Sequence, residues 1–320
     1  MEGNQKLKIA VLMGGLSGER KVSLKSGQAV LEALASLGHD TLACDVTEPS
    51  LAALRQADPD VAFVALHGAF GEDGQLQCML ESAGIPYTGS GPEASRLAMD
   101  KLASKRAFIR HAIPTADYFA IGPAQSMGSI SSQAHRFGYP LVCKPAASGS
   151  SLGVSIVHKP HALAEAVARA RRESDMVLVE RYVRGRELTV GVLDGEALPI
   201  VELIVGREFF DYEAKYEDQN TRYVTPVSLL PTIYRKATEA ALRAYRALGC
   251  RHMARVDMLY GYDGRLYVLE ANTIPGLTSR SLLPMAAAQV GISFPALCDT
   301  IAQAAVRDAA QAARRRRLTA

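Results

Sequence analysis

Short apolar runs alternate with amphipathic segments through the first hundred residues. The runs Lys8–Met13 and Val61–Leu66 have the length and composition of buried strands, whereas Val22–Leu37 repeats its apolar positions at helical spacing. This alternation predicts an α/β domain in which helices cover a parallel sheet. The predicted elements of this part are strands Lys8–Met13, Thr41–Cys44, Val61–Leu66 and Ile85–Thr88, and helices Val22–Leu37 and Gln75–Ala83.

The pattern changes after about residue 101, where strands follow one another without a helix between each pair. This arrangement predicts α+β structure with antiparallel strands. The predicted strands are Ala116–Ile121, Leu141–Pro145, Val154–Val157, Met176–Arg181, Glu187–Leu193 and Ala197–Leu203. The predicted helices are Lys101–His111, Ala162–Arg172, Ile233–Leu248 and two C-terminal helices, the first over Leu282–Val290; Arg207–Thr225 is predicted to be a polar loop.

The length of 320 residues favours two or three domains, because single hydrophobic cores rarely extend over so long a chain. Pro114 and Gly185 lie near the expected junctions. We predict an α/β domain over residues 1–100 and two α+β units over residues 101–185 and 186–320. In a parallel sheet, ligands bind beyond the carboxyl ends of the strands. The loops at those ends are residues 14–19, 67–74 and 89–91.

Residues 255–272 alternate between apolar and polar positions around a central Gly-Tyr-Asp-Gly turn, a pattern typical of a β-hairpin. A turn centred between its Tyr and its Asp would pair Asp257 with Val268 and Arg255 with Glu270. Side chains two apart on a strand share a face. One face would carry Arg255, Asp257, Glu270 and Asn272, and the core face Val256, Met258, Leu269 and Ala271.

Two carboxylates and an amide oxygen on one sheet face are suitable ligands for a hard cation such as Mg²⁺, which often also binds substrate phosphates. A solvated strand face with an Arg–Glu pair is an equally good explanation of the same pattern. A one-residue bulge at the turn would separate these side chains onto two faces.

The Ser/Gly loop at residues 148–153 joins two predicted strands. Its backbone N–H groups and hydroxyls could bind phosphate oxygens, although a flexible hairpin turn is the commoner role of such a loop. Lys144 strengthens the phosphate interpretation because it interrupts an apolar strand just before the loop, where a buried ammonium needs an anion. Glu180 and Glu187 lie at strand ends, where they are either exposed or accept hydrogen bonds from a ligand.

Four further features are ambiguous. Residues 89–94 match the G-x-G-x-x-A dinucleotide pattern, but no acidic residue follows a strand about 20 residues later, so a turn before a helix is favoured. Ser281 precedes a predicted helix and could cap it or bind a carboxylate. His67 and Glu19 could bind substrate or stabilise their own loops.

Composition narrows the class of protein. Apolar residues make up 48% and charged residues 22% of the chain, which are ordinary values for a globular protein. The net charge of +3 gives no reason to expect nucleic acid as a partner, and the basic run at residues 314–317 is expected to be a solvated tail. Five scattered cysteines without a C-x-x-C pair indicate free thiols, and no run resembles a signal peptide or membrane span. We therefore expect a cytoplasmic protein.

Eight motifs occur in register over residues 8–298, and together the chain resembles the D-alanine–D-alanine ligase family of the ATP-grasp superfamily. The motifs are Gly14-Gly15-x-Ser17-x-Glu19-x-x-Val22-Ser23-x-x-Ser26-Gly27, His67-Gly68-x-x-Gly71-Glu72-Asp73-Gly74, Asp100-Lys101, Lys144-Pro145, Gly149-Ser150-Ser151-x-Gly153, Asp211-Tyr212-x-x-Lys215-Tyr216, Arg255-x-Asp257 and Glu270-x-Asn272-Thr273-x-Pro275-Gly276-x-Thr278-x-x-Ser281-Leu282-x-Pro284. The resemblance implies an ATP-grasp fold with a Rossmann-like N-terminal domain and two α+β ATP-grasp subdomains.

The resemblance also implies roles for individual residues. Two Mg²⁺ or Mn²⁺ ions would be held by Asp257, Glu270 and Asn272. ATP would be bound by Lys101, Lys144, Ser150, Ser151, Glu180, Tyr182, Val183, Glu187 and Lys215. The first D-alanine would be bound by Glu19 and His67, and the second by Gly276, Ser281 and Leu282. Arg255 would stabilise the oxyanion, and Tyr216 would close a mobile loop over the site together with Ser150 and Glu19.

The resemblance implies ATP-dependent formation of D-alanyl-D-alanine through a D-alanyl phosphate for peptidoglycan synthesis, by a homodimer without nucleic-acid or membrane partners. The alternatives are a D-alanine–D-lactate ligase or another ATP-grasp carboxylate–amine ligase, a dinucleotide-dependent dehydrogenase and a non-catalytic nucleotide-binding protein. Lactate-using ligases tend to lack the lid tyrosine, which this chain keeps at Tyr216.

Overall fold

The structure is a computed structural model that describes residues 6–149, 151–204 and 222–319, with side chains up to residue 315. Its first sheet is parallel, with strand order β2-β1-β3, as the alternating pattern predicted. The strands are β1 (Lys8–Gly14), β2 (Asp40–Val46) and β3 (Val61–Val64). The helices are α1 (Arg20–Ser36), α2 (Ala52–Ala57), α3 (Gln75–Ala83) and α4 (Pro92–Met99).

The strand predicted over Ile85–Thr88 is reduced to a single parallel bridge between Ala62 and Tyr87. Pro86 has no N–H to offer a neighbouring strand and contributes its carbonyl to Ala62 N–H. The next donor of β3, Val64 N–H, binds the side-chain oxygen of Thr88 at 2.9 Å instead of a backbone carbonyl. The fourth strand of this sheet is therefore reduced to the backbone bonds of Ala62 with Pro86 and Thr88, extended by one side-chain contact.

Two antiparallel sheets follow, which confirms the predicted change of architecture. The second sheet has the order β4-β7-β5-β6 and the third β10-β9-β8-β11-β12. The strands are β4 (Tyr118–Ile121), β5 (Leu141–Pro145), β6 (Ser155–Val157), β7 (Val177–Arg181), β8 (Gly185–Leu193), β9 (Glu196–Ile204), β10 (Arg222–Val224), β11 (Met253–Gly261) and β12 (Leu266–Asn272). The helices are α5 (Lys101–Arg110), α6 (Met127–Phe137), α7 (Leu163–Arg171), α8 (Pro231–Leu248), α9 (Leu282–Ala288) and α10 (Phe294–Thr319).

The end of the predicted Arg207–Thr225 loop is strand β10, which pairs with β9; the greater part of that loop lies outside the described residues. The three sheets follow the order of the three predicted domains, whose boundaries stay predictions. Within the described ranges, no helix combines the length and the apolar character that a membrane crossing requires.

The C-terminal helix α10 packs against the first sheet rather than extending the third. Leu297 and Ile301 of α10 belong to the same buried cluster as Ile9 and Val30. His39, which precedes β2, reinforces this docking, since its Nε2 atom lies 3.1 Å from Asp299. His252, which precedes β11, ties the same helix to the third sheet, since its Nε2 atom lies 3.1 Å from Asp308. Ile274, Leu277 and Leu282, between β12 and α10, belong to the same buried cluster, so this segment also packs against the first sheet.

Candidate active site

The hairpin of β11 and β12 presents the predicted polar face, but in a different register. Asp257 lies directly opposite Glu270, and Arg255 opposite Asn272, so the predicted pairing of Asp257 with Val268 is wrong by two residues. The turn accounts for the first residue of this two-residue shift, because Tyr260 pairs with Leu266, so that five residues, 261–265, lie between these two partners.

A β-bulge accounts for the second residue of the shift. Asp257 pairs with Glu270 but Met258 pairs with Val268, so Leu269 is the extra residue. Two single-residue shifts add to an even number, which restores the alternation and keeps the polar side chains on one face. The prediction that Leu269 points into the core is wrong: Val268 is buried there, and Leu269 lines the cavity beside Glu270.

Protein cations and hydroxyls compensate the two carboxylates of this face. Arg255 donates two hydrogen bonds to Asp257, of 2.9 and 2.8 Å, in a fork geometry. Thr189 Oγ1 donates to Asp257 at 2.6 Å and Asn272 Nδ2 at 3.0 Å. The ammonium of Lys101 lies 3.0 Å from Glu270 and also donates to the carbonyl of Ser148.

The chemistry of these donors fits a divalent cation. Among the described residues, no three His, Cys, Asp or Glu side chains form a metal cluster, so a metal here would rest on two carboxylates and an amide. Asp257 and Glu270 both line the cavity, and carboxylate and amide oxygens are the ligands that Mg²⁺ and Mn²⁺ prefer. The Arg255 and Lys101 contacts show that the face holds a compensating positive charge.

A cavity of about 420 Å³ lies between the second and third sheets. Its volume falls in the range of small-molecule sites, and apolar side chains such as Val142 and Ile156 give it a wall suited to a flat ring. The residues expected to bind ATP that line it are Lys101, Lys144, Ser151, Glu180, Tyr182, Val183 and Glu187, together with Asp257 and Glu270. Lys215, Tyr216 and Ser150 lie outside the described residues.

Glu180 forms ion pairs with two lysines in the floor of this cavity. Its carboxylate oxygens contact the ammonium groups of Lys105 and Lys144, and all three side chains are buried. Burial alone would raise the pKa of Glu180, but the charges of Lys144 and Lys105 hold that pKa below its ordinary value. The Glu180 carboxylate is therefore ionised, and its charge is available to orient a donor on a bound ligand.

Sequence reasoning missed Lys105, which is 1% exposed. Burial lowers the pKa of Lys105, and Glu180 opposes that effect. Helical spacing contained the signal, because Leu102, Lys105 and Phe108 recur at three-residue intervals on the buried face of α5. The ammonium of Lys105 also donates to Thr115 Oγ1 at 2.6 Å, and Thr115 donates to the carbonyl of Val268 in β12.

Glu19 lies where the first sheet meets the Ser/Gly loop. A methyl group added at Gly68 would lie 2.7 Å from the Oε2 atom of Glu19, and a methyl group added at Gly149 would lie 2.9 Å from the same atom. The two glycines therefore leave room for the Glu19 carboxylate between the loop after β3 and the loop after β5. Because it lies beyond the carboxyl ends of the parallel strands, this position suits a ligand-binding anion.

Ser281 does not cap helix α9 through its side chain, so simple helix capping does not explain this residue. Its Oγ atom accepts a 3.1 Å hydrogen bond from Thr278 N–H and lies 2.9 Å from Thr278 Oγ1. A methyl group added at Gly276 would approach the same Oγ atom to 3.1 Å. The Gly276–Leu282 segment is thus a compact turn, held against the first sheet by the buried Leu277 and Leu282.

The dinucleotide-like residues 89–94 have a structural role. Gly89 N–H donates to His252 Nδ1 at 3.1 Å, and the Gly89 carbonyl accepts from Arg251 at 2.9 Å. Helix α4 then begins at Pro92. Because the glycine backbone is already bound by side chains of the third unit, the structure favours the turn interpretation over a pyrophosphate site.

Family comparisons agree with this arrangement. The sequence model of the family described as D-ala D-ala ligase C-terminus matches residues 108–303, and the model described as D-ala D-ala ligase N-terminus matches residues 49–90. The D-alanine–D-alanine ligase of Syntrophotalea carbinolica is 46% identical over 93% of this chain and 95% of its own length. That of Anaeromyxobacter sp. (strain K) is 47% identical over 92% and 95%.

Solved structures extend the similarity to three dimensions. The D-alanine–D-alanine ligase of Bacillus anthracis complexed with ATP superimposes with a TM-score of 0.84 at 33% identity, covering 95% of this chain and 99% of that one. The enzyme of Coxiella burnetii gives the same TM-score of 0.84 at 24% identity, which supports the fold. The matched sequence models, the relatives and the shared ATP-grasp fold show that the chain belongs to the D-alanine–D-alanine ligase family.

Proposed function

We propose that this protein joins two D-alanine molecules into D-alanyl-D-alanine with conversion of ATP to ADP and phosphate, and so supplies peptidoglycan synthesis. The observation that carries the proposal is the cavity in which lysines and Glu180 lie on one side and the Asp257–Glu270 pair on the other, within a chain of this family. A triphosphate requires cationic groups along its length and acceptors at its base and ribose, and this cavity contains both.

In the assignment we favour, Lys101 and Lys144 contact the phosphates with the Ser150-Ser151 loop and Lys215. Glu180, Tyr182 and Val183 surround the adenine, and Glu187 accepts from the ribose. The lining of the cavity supports this assignment, because it includes Tyr182 and Val183 with apolar side chains, and both lysines with residues of the Ser/Gly loop. Lys101 already contacts that loop through the carbonyl of Ser148 at 2.8 Å.

The divalent cations would be held by Asp257, Glu270 and Asn272. Mg²⁺ or Mn²⁺ bound there would neutralise charge on the phosphates of ATP. Hydrogen bonds from Thr189 and Asn272 fix the orientation of the Asp257 carboxylate on the sheet, which supports this assignment.

The reaction needs an activated carboxylate, because a free carboxylate has no good leaving group. A carboxylate oxygen of the first D-alanine attacks the γ-phosphorus, the bond to ADP breaks, and D-alanyl phosphate forms. The amine of the second D-alanine then loses a proton and attacks the acyl carbon, and phosphate leaves with its bonding electrons. We assign the stabilisation of the tetrahedral oxyanion to Arg255, which adjoins Asp257; such an effect is worth about 3–4 kcal/mol per donor in other enzymes.

We also assign residues to the two amino-acid subsites. Glu19 and His67 would bind the first D-alanine, and Gly276, Ser281 and the Leu282 N–H the carboxylate of the second. Support comes from the location of both groups beyond the carboxyl ends of the first sheet, with the Gly276–Leu282 turn packed against that sheet. The acylphosphate would hydrolyse in water, so we assign Tyr216 to a lid that closes over it with Ser150 and Glu19.

We also infer that the enzyme works as a homodimer in the cytoplasm. The family resemblance supports the dimer. The five cysteines, all of which are free thiols, support a reducing compartment such as the cytoplasm. Sedimentation of the purified protein tests the dimer directly, and a single monomer-sized species would contradict it.

Phosphate release with ATP, Mg²⁺ and a panel of D- and L-amino acids plus D-lactate tests the function. We expect release that depends on D-alanine, with D-alanyl-D-alanine as the product. Glu270→Gln is the matched control, because it keeps the shape of the side chain while removing the charge, and should abolish turnover. Dominant depsipeptide from D-lactate, or near-full activity of the Gln variant, would contradict the substrate or the metal assignment respectively.

A further inference from the structure

A buried serine in helix α1 connects the two proposed amino-acid subsites. Ser26 is 0% exposed, and its Oγ atom lies 3.0 Å from Nε2 of His67. The same oxygen accepts a hydrogen bond of 3.4 Å from the backbone N–H of Leu277. His67 follows β3, whereas Leu277 lies 251 residues from Ser26 in the turn after β12.

These two partners belong to different parts of the proposed site. His67 is assigned to the first D-alanine, and Leu277 lies between Gly276 and Ser281, which are assigned to the second. A shift in the Ser26 side chain would therefore disturb both subsites at once. A fully buried hydroxyl is costly unless it is hydrogen-bonded, and here its partners are groups of the site.

The hydrogen bonds of Ser26 favour one tautomer of His67. Because Leu277 N–H donates to Ser26 Oγ, the hydroxyl hydrogen of Ser26 can point to Nε2 of His67. The ring proton then lies on Nδ1, which faces Glu72 Oε1 at 4.0 Å. Glu72 is itself fixed by a 2.7 Å hydrogen bond from Gly68 N–H.

We propose that Ser26 is a positioning residue that holds the His67 imidazole in its Nδ1–H tautomer and ties it to the Leu277 backbone, so that the two D-alanine subsites keep a fixed separation. The kinetic part of this proposal rests on the proposed ligase function; the tautomer part does not. Ser26 acts through its neighbours and has no direct contact with substrate in this scheme.

Ser23 offers a matched control on the same helix. It is also 0% exposed and also forms a buried side-chain hydrogen bond, from its Oγ to the Ala65 carbonyl at 2.7 Å. Ser23→Ala and Ser26→Ala remove the same atom from the same helix, but only the second removes the bond to His67. A general loss of α1 packing would affect both variants equally.

The kinetic test measures kcat and the KM of each D-alanine subsite for both variants. We expect Ser26→Ala to raise the KM of both D-alanine subsites, by up to about tenfold as loss of one buried hydrogen bond allows, while Ser23→Ala stays near wild type. Equal KM values in the two variants would overturn the proposal. A wild-type protein without D-alanine-dependent ADP release would instead overturn the proposed function.

The spectroscopic test needs no activity. Nitrogen-15 NMR distinguishes the two imidazole tautomers, and the chain has seven histidines, so His67 can be assigned by comparison with His67→Asn. We expect the Nδ1–H form in the wild type and in Ser23→Ala, and a mixed population in Ser26→Ala. Ser26→Cys, which keeps the size but weakens the donor, should be intermediate and serves if the Ala variant does not fold. An Nε2–H signal in the wild type would refute the assignment.

Discussion

The buried carboxylate of Glu180 makes a strong prediction about stability. Glu180→Gln preserves the shape of the side chain but removes the negative charge that pairs with Lys105 and Lys144. The two ammonium groups would then remain in a site where Lys105 is 1% and Lys144 8% exposed. Removing one partner of a buried ion pair typically costs about 3–5 kcal/mol, because a buried charge is left uncompensated.

Thermal and denaturant unfolding of the apo-protein measure this loss. We expect a destabilisation of about 3–5 kcal/mol and a fall in melting temperature of about 10 °C. The comparison variant is Lys105→Met, which removes the ion pair with Glu180 and the hydrogen bonds to Thr115 and Ala116 but leaves Glu180 paired with Lys144, so no uncompensated charge stays buried. That variant should lose less than about 2 kcal/mol. A Gln variant as stable as the Met variant would refute the reasoning.

The pH dependence gives the same prediction a second test. The pKa of Glu180 lies below its ordinary value of 4.5, so the carboxylate binds protons less readily in the folded state than in the unfolded state. Its contribution to stability is therefore present above 4.5 and is lost as the pH falls through the lower, folded pKa. The difference between wild type and Glu180→Gln should persist at neutral pH and shrink in acid. A difference that grows below pH 4.5 would contradict the assigned charge.

Three further predictions concern single residues. Gly149→Ala should lower kcat/KM about tenfold, because the new methyl group would meet Glu19 at 2.9 Å; unchanged steady-state kinetics would refute this. Ser281→Ala should chiefly raise the KM for the second D-alanine, measured at saturating ATP, and a fall in kcat alone would argue against its role. Burial holds the pKa of His252 below its ordinary 6.5, and Nδ1 of the neutral ring accepts a hydrogen bond from Gly89 N–H. Because the unfolded chain then binds the proton more readily, wild-type stability should fall as the pH drops below 6.5. His252→Asn, which tolerates the φ of 60° there, should show a flatter melting profile between pH 7.5 and 5.

The strongly patterned elements could be predicted from the sequence, whereas weakly patterned ones could not. Helix α3 and strand β5 have the bounds that the pattern predicts, because apolar positions recur at helical spacing in α3 and form the short run Leu141–Cys143 in β5. The sequence pattern did not predict helix α6, because its sequence is rich in serine and its apolar positions are few: only Ile130 and Ala134 are buried. Its signal was the serine at position 126, which caps the helix by accepting from Ser129 N–H.

The polar face of the hairpin could be predicted, but its register could not. Alternation places Asp257 and Glu270 on a common face in any pairing shifted by an even number of residues. The actual pairing depends on the turn length and on the bulge at Leu269, neither of which has a distinct sequence signature here. The bulge matters for the site because it places an apolar side chain in the cavity next to a proposed metal ligand.

Contacts between distant parts of the chain explain why the remaining site features escaped prediction. The proposed subsites depend on the bond from Leu277 to Ser26, which spans 251 residues, and helix α10 is docked by the bond from His39 to Asp299, which spans 260. Residue patterns indicate which segments are helices and strands, but they do not indicate which buried hydroxyl meets which backbone N–H. In this fold helix α10 and the turn after β12 both pack on the first sheet, as members of one buried cluster. The second D-alanine subsite therefore depends on the packing of the turn after β12 against α1, so weakening the Leu277–Ser26 contact should disturb acceptor binding before it disturbs ATP binding.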